Sequence, residues 1–384
     1  MTPRRILAVN VGSSSLRLDL WEVPGAQAQA VLEASGIGAA EGSLVVGREH
    51  REAAQWPDHT AALEGLLARL PQPASFDYIG HRLVHGGPKH RRPVWVDDGV
   101  LADLDEVSRL VPLHNPPAIR AIRHLRRALP KIPQAAVFDT AFHESLAPHA
   151  FEYAVPPAWR SHGVRRYGFH GLACADAVWQ LGPRLRGRAV LLHLGAGCSA
   201  TAILHGRSVD TTMGLTPLEG LVMATRCGDL DPGILPYVQR EQGVSPEQLE
   251  HVLNHECGLL GLSGMSGEMK TLLEHTGAPA VALAIDVFCY RAAKAVGALA
   301  VALGGCDQLI FTGGIGEHAA PIRARIVGRL ECLGARLDES ANRANAAVVS
   351  PSQGAVSVHV IRVDEGRQIA RDTAELARQP HPAS

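Results

Sequence analysis

Aromatic residues are scarce in this chain of 384 residues: five Trp, five Tyr and seven Phe make up 4%. A protein that stacks bases or sugars on aromatic platforms usually carries more. Basic excess is missing too, since Lys+Arg (37) and Asp+Glu (38) leave a net charge of −1, so general binding of nucleic acid is not expected. No two of the seven cysteines are closer than Cys289 and Cys306, so there is no CxxC pair for zinc or redox work. The scattered set reads as reduced thiols of a cytoplasmic protein. Long apolar runs are lacking as well. Ile6–Val9 is too short for a signal-peptide core, and Ala295–Leu303 is far below a membrane span. No GxxxxGK[ST] loop occurs, which excludes a Walker-type nucleotide site. What is plentiful is apolar matter, at 46%, and glycine, at 39 residues. The first implies proper cores, and the second marks places where backbone approaches a ligand.

The length suggests two domains. Residues 5–23 read as strand, tight turn, strand around Asn10-Val-Gly-Ser-Ser-Ser, and residues 189–210 repeat that shape around Gly195-Ala-Gly-Cys-Ser. A duplicated α/β domain follows. Gln308–Phe311 reads as a strand, Thr312–His318 as a glycine loop, and Pro321–Leu330 as a helix. Helices are also expected at 114–129 and 280–303. The last segment reads as a strand from Val356 to Val363 and a helix from Gln368 to Arg378. Residues 23–60 read as irregular surface connections. Gly195-x-Gly197-x-x-Ala200 imitates a dinucleotide fingerprint, but a strand pattern follows where a helix is required. His81 and His85 have zincin spacing with Arg82 where the glutamate belongs, and Gly261-Leu-Ser263-Gly264-Met265 lacks the last glycine of a nucleophile elbow.

A set of isolated polar residues remains. Asn10 and Ser13–Ser15 lie at a hairpin tip, suited to phosphate oxygens or merely an ordinary turn. Arg82, between a strand and a glycine pair, reads as a buried ion pair or an anion site. Asp139 ends an apolar strand, as a metal or base position or as a helix cap. His170 reads as a packed or a reacting histidine. Arg226, with Asp229 and Asp231 nearby, reads as a salt-bridged loop or an anion site, and Glu365 as a solvated or a functional acid. Taken together, glycine turns, two arginines, a histidine and several acids describe phosphoryl transfer, in which the protein positions the groups and stabilises charge. Without a Walker lysine, arginines and a divalent ion such as Mg2+ supply the positive charge.

These residues resemble the acetate kinase family, of the actin/hexokinase/Hsp70 superfamily. The similarity runs along nearly the whole chain: Asn10-Val-Gly-Ser-Ser-Ser, His81-Arg-Leu-Val-His-Gly-Gly, Pro112-Leu-His-Asn-Pro-Pro, Phe138-Asp-Thr-Ala-Phe-His, Tyr167-Gly-Phe-His-Gly, His193-Leu-Gly-Ala-Gly, Asp210-Thr-Thr-Met-Gly-Leu-Thr-Pro-Leu-Glu-Gly, Thr225-Arg-Cys-Gly-Asp, Phe311-Thr-Gly-Gly-Ile-Gly-Glu and Ile369-Ala-Arg-Asp-Thr. The resemblance implies an α/β fold of two duplicated ribonuclease-H-like (actin-like ATPase) domains, 1–143 plus 366–384 and 144–365, with the active site in the interdomain cleft. It implies a homodimer that interconverts acetate plus ATP with acetyl phosphate plus ADP, by direct in-line transfer with Mg2+, or Mn2+ in its place.

Carried over by motif, Arg82 and Arg226 flank the carboxylate and the phosphoryl group, and His170 hydrogen-bonds that group. Asp139 and Glu365 act around the metal and its waters, with Asn10 near it. Val84, Leu113, Phe169 and Pro217 form the pocket for the acetate methyl, with His114 close by. The nucleotide side comprises Ser13, Ser15, Arg17, His193, Gly195, Gly197, Glu268, Met269, Lys270, Gly313, Gly314, Ile315, Gly316 and His318. Departures from the family pattern gather there: Ala196 in place of Asn, Arg17 for Lys, His318 for Asn, Glu268-Met269-Lys270 for Asp-Phe-Arg, and Gly366 for a second acid. A different nucleotide or pyrophosphate is therefore the alternative donor, and propionate the alternative acceptor, which one methylene distinguishes by only ~1–3 kcal/mol. A non-catalytic sensor of the same superfamily is the remaining reading. The catalytic set argues against it, because a sensor has no need of those residues together.

Overall fold

The computed structural model describes residues 3–25, 27–47, 50–71, 75–112 and 114–379. They form two compact units, one of residues 1–144 with 364–384 and one of residues 145–363. Glu144, Asp364 and Glu365 thus fall in the first unit, whereas the sequence-based boundaries assign them to the second. The reason is local: Asp364 accepts a bond from Arg367 N as the cap of the helix Glu365–Leu376, and that helix packs on the first unit's sheet.

The first sheet contains β1 (Arg4–Val11), β2 (Ser15–Val23), β3 (Ala28–Ser35), β4 (Gly42–Val46), β5 (His50–Ala54), β6 (Tyr78–Leu83), β7 (Val94–Trp95) and β8 (Gln134–Phe138), in the order β5-β4-β3-β2-β1-β6-β8-β7. Strand β1 sends Leu7, Val9 and Val11 into an apolar core shared with the helices His59–Leu67 and Asn115–Ala128. Alternation puts Ala8 and Asn10 on the opposite face. The Glu365–Leu376 helix covers that face, and its closeness explains a small residue. A Cβ on Gly80 of β6 would run into Thr373 Oγ1 and lie 2.8 Å from Ile369 Cγ2.

The second sheet contains β9 (Arg188–Leu194), β10 (Cys198–Leu204), β11 (Arg207–Thr211), β12 (Gln308–Thr312) and β13 (Ser357–Val360), in the order β11-β10-β9-β12-β13. Its β9–β10–β11 part is antiparallel, and β12 and β13 run parallel to β9. The same order occurs in β3-β2-β1-β6-β8, with the same directions. One five-stranded ribonuclease-H-like sheet is therefore used twice. The helix Pro279–Leu303 packs against β10, burying Ile285, Phe288, Val296 and Leu299, and ends at Gly304 in a left-handed conformation. No helix among the described residues is long and apolar enough to cross a membrane.

Three local expectations need correction. The stretch 23–60 is not irregular, since β3, β4 and β5 extend the sheet to its edge. Strand β5 is almost wholly exposed, so no apolar alternation marks it. Thr312–His318 is not a glycine loop: Gly313 takes φ +77 and opens the short helix Gly313–His318, followed by the helix Ala320–Val327. The final strand stops at Val360, and the last helix starts at Glu365 rather than at Gln368.

Candidate active site

In the first unit, parallel pairing of β1, β6 and β8 brings three polar side chains to one end of the sheet, and the cap of the last helix adds a fourth. Arg82 leaves β6 and donates to Asp139 Oδ2 from Nε (3.0 Å) and Nη2 (2.5 Å). Its Nη1 donates to Asn10 Oδ1 at 3.1 Å, and Nε lies 3.6 Å from Glu365 Oε2. Asn10 Nδ2 donates to the same Glu365 oxygen at 2.8 Å. Burial would lower the Arg82 pKa, but Asp139 and Glu365 outweigh it and hold the guanidinium charged well above its ordinary range. The ion pair, one of the two readings of Arg82 from sequence, is present in the structure. Two carboxylates against one cation leave an excess negative charge.

That donor set fits Mg2+ or Mn2+ of the kind that keeps waters and phosphates as its other ligands. It is all hard oxygen, supplied by Asp139, Glu365 and the Asn10 amide. Among the described residues there is no cluster of three or more His, Cys, Asp or Glu to make a full protein cage.

Beside it, opposite Asn10 in the β1–β2 register, stands Arg17, whose Nε donates to both oxygens of Asp19 at 2.9 Å. Burial pushes the Asp19 carboxyl up to about 6 although Arg17 pulls it down. A Cβ at position 366 would collide with Asp19 Oδ2, so Gly366 is what gives this carboxylate room. Ser13 lies in the β1–β2 turn and Ser15 opens β2, the turn being closed by Gly12 N donating to Ser15 O at 2.8 Å. Val84 is buried after β6, and His114 precedes the Asn115–Ala128 helix. Leu113 lies outside the described residues.

The second unit builds a different cluster. His170 adopts a left-handed conformation (φ 58) ahead of the helix Gly171–Leu181, which is costly for a residue other than glycine. Its Nδ1 lies 2.9 Å from Ser199 Oγ, and its ring centroid is 4.5 Å from that of His193. His193 Nδ1 in turn lies 3.0 Å from Thr312 Oγ1. A Cβ on Gly197 would stand 2.7 Å from Arg226 Nη2 and 3.2 Å from His170 Nε2. The absence of a side chain at Gly197 therefore leaves room for both groups close to its backbone.

Arg226 Nη1 donates to Pro217 O at 2.6 Å, and burial lowers its pKa. No carboxylate pairs with it among the described residues. The salt-bridged-loop alternative is removed, because Asp229 and Asp231 accept from the backbone N–H groups of Gly220 (2.8 Å) and Gly233 (2.9 Å) instead. Pro217 sits in a segment pinned by Arg166, which donates to Glu219 at 2.7 Å and to the carbonyls of Thr211, Thr212 and Met213. Tyr153 hydrogen-bonds the same Glu219. Phe169 is buried next to His170.

A cavity of about 580 Å³ in the second unit is lined by Gly195, Glu268, Met269, Lys270, Gly314, Ile315 and His318, with Ala196 on its wall. It falls within the usual volume of small-molecule sites. Gly313 and Gly316 do not line it. A Cβ on Gly313 would lie 2.7 Å from Leu194 O, and Gly316 packs on Phe311. Gly197 belongs to the Arg226–His170 space instead. The short helix Gly313–His318 is held from behind by fully buried Arg323, which donates to Gly316 O (2.8 Å), Glu317 O (3.0 Å) and Asn342. Sequence reasoning passed over Ser199, Thr312, Arg166, Glu219 and Asp19. For Asp19, Ser199 and Thr312 the one visible signal is polarity at strand positions whose neighbours are apolar; Arg166 and Glu219 lie outside any strand and carry no such signal.

Comparison with known proteins identifies the family. The acetokinase family matches residues 5–371. An acetate kinase of Micrococcus luteus is 42% identical, over 97% of this chain and 99% of that protein, and one of Stutzerimonas stutzeri is 42% identical over 98% and 99%. Among solved structures, a propionate kinase of Francisella tularensis superposes with a TM-score of 0.90 at 35% identity, and Porphyromonas gingivalis acetate kinase with 0.87 at 34%. Each covers 97% of this chain and is itself covered completely. A profile and full-length likeness of this extent assign the two-sheet, twice-used fold and its carboxyl-directed kinase chemistry together, and the chain belongs to the acetokinase family.

Proposed function

We propose that this member of the family transfers the γ-phosphoryl group of ATP to the carboxylate of acetate, reversibly, giving acetyl phosphate and ADP. An acetate oxygen attacks phosphorus, a new O–P bond forms, and the bond to the ADP oxygen breaks. No enzyme phosphate intervenes. The observation that carries this reading is Arg226, a partly buried guanidinium with no carboxylate partner among the described residues, sharing the room beside Gly197 with His170 Nε2. A cation held without a counter-ion is costly unless an anion arrives. Attack by one anion on another needs such charge, and its stabilisation in the transition state is the main work of a phosphotransferase.

Arg82 is read as the second cation, oriented by Asp139. Mg2+, or Mn2+ in its place, would be held by Glu365 and Asn10 with Asp139 alongside, and supplies positive charge at the phosphate oxygens when bound. His170 donates a hydrogen bond to the phosphoryl group. Val84, His114, Phe169 and Pro217, with Leu113 outside the described residues, are read as acetate-binding residues, and Ser13, Ser15, Arg17 and His193 as serving the phosphates. The cavity walled by Met269, Leu273 and Ile315 favours a nucleoside donor over pyrophosphate, which has no apolar part to fill it.

A homodimer in the cytoplasm completes the reading. Supporting a second copy, Leu283, Tyr290 and Val301 stand exposed on the long helix Pro279–Leu303. The test is to incubate pure protein with Mg2+, acetate or propionate, and ATP, GTP or pyrophosphate, and to trap acyl phosphate with hydroxylamine. Hydroxamate is expected with ATP and acetate. Its absence with every pairing would leave a non-catalytic superfamily member as the better reading.

A further inference from the structure

Ser199, His193 and Thr312 form one row across three neighbouring strands: Ser199 pairs with His193 between β10 and β9, and His193 with Thr312 between β9 and β12. The row has a hydroxyl at each end, and the His170 ring lies against the imidazole in the middle. Each hydroxyl meets the Nδ1 of one histidine, Ser199 that of His170 and Thr312 that of His193. The two contacts differ in direction. Thr312 Oγ1 donates its proton to Leu192 O at 3.4 Å, so toward His193 it acts as acceptor. His193 then carries its proton on Nδ1.

Ser199 is fully buried, and among the described residues its hydroxyl meets one polar partner, His170 Nδ1 at 2.9 Å. Were Nδ1 the donor, the serine O–H would be left without an acceptor in a dry interior. A buried donor left unmade costs more than an underused oxygen lone pair. The proton therefore runs from Ser199 to Nδ1. We propose that Ser199 is a positioning residue for His170: its buried hydroxyl donates to Nδ1 and holds the imidazole as the Nε2–H tautomer.

The consequence lies at the other end of the ring. Nε2 occupies the room that Gly197 leaves beside the Arg226 guanidinium. In the neutral imidazole one nitrogen donates and the other accepts. A donor at Nε2 then comes from the choice of tautomer, which Ser199 makes. The inference rests on the kinase reading only in naming a phosphoryl oxygen as what Nε2–H addresses.

The decisive measurement is a long-range 1H–15N spectrum of the full-length protein labelled with 15N-histidine, with the His170 signals assigned by their loss in His170→Gln. Wild type should show His170 protonated at Nε2 and unprotonated at Nδ1, and Ser199→Ala should show a mixture of tautomers. Protonation at Nδ1 in wild type overturns the proposal whether or not Ser199→Ala folds. So does an unaltered Nε2–H tautomer in Ser199→Ala. In the kinetic arm, Ser199→Ala should lower kcat about tenfold, the worth of one hydrogen bond, with both KM values held within about twofold. Unchanged kcat alongside a lost tautomer overturns the positioning role. Failure of the kinase reading would look different: wild type would yield no acyl phosphate while the tautomer remained as described.

Discussion

Replacing Arg226 or Arg82 by alanine should damage activity alike and stability very differently. In Arg226→Ala the reacting phosphoryl group loses a transition-state cation, typically worth about 10³–10⁵ in rate, or about 4–7 kcal/mol. What the fold loses is small, because Arg226 has no carboxylate partner among the described residues and its side chain gives one recorded bond, to Pro217 O. Removing a poorly solvated cation offsets that bond, so stability should move by no more than about 1 kcal/mol. Arg82→Ala strips the guanidinium from Asp139, which is only 1% exposed, and from Glu365. Breaking a buried pair from one side costs about 3–5 kcal/mol. Spread over the first unit alone, that lowers its Tm by roughly 10 °C. The assay is hydroxamate formation at saturating ATP and acetate, paired with calorimetry of each variant. The reasoning is refuted if Arg226→Ala retains near-normal turnover while folded, or if it loses as much thermal stability as Arg82→Ala.

Other outcomes follow from the same geometry. Gly197→Ala places a methyl 2.7 Å from Arg226 Nη2 at a backbone position that tolerates alanine, so kcat should fall at least about a hundredfold, two steps of 1.36 kcal/mol, with little change in Tm. Ile315→Trp fills the second unit's cavity and should raise the ATP KM several-fold while the acetate KM stays put; equal shifts in both would argue against a nucleotide role for that cavity. Asp19 and His81 should tilt stability in opposite directions with pH. Burial raises Asp19 from 3.8 to about 6, so the folded state binds the extra proton, and stability falls as pH rises across that window. Burial lowers His81 from 6.5 to about 4, so the unfolded state binds the extra proton, and stability falls as pH drops across its own. Asp19→Asn removes the first slope, worth roughly 3 kcal/mol, and leaves an acid-labile protein. Urea midpoints from pH 4 to 7 should steepen accordingly.

The twice-used sheet was legible because β1–β2 and β9–β10 each combine alternating apolar residues with a glycine turn, a pattern that depends only on neighbours in the chain. Strands β3 to β5 were not, because an edge strand such as His50–Ala54 is held by its ladder rather than by an apolar face. The helix Gly313–His318 was hidden by three glycines, which read as loop. It is held in place by Arg323, a residue whose partners Asn342 and Asn345 no local pattern reveals. Site residues such as Arg82 and Arg226 could be nominated from the family motifs. Their difference, one paired and one not, depends on contacts 57 residues away and was visible only in the structure.

The segment after Val363 has a consequence for how the protein is made. The second unit is an insertion in the first, so the ribosome completes residues 145–363 before the first unit's sheet receives its last helix. Until then Ala8, Asn10 and Gly80 face a missing layer, and Glu365 has not joined Arg82. Arg82 therefore lacks Glu365, and the first sheet its covering helix, until Glu365–Leu376 has been made, and the second unit can fold ahead of the first.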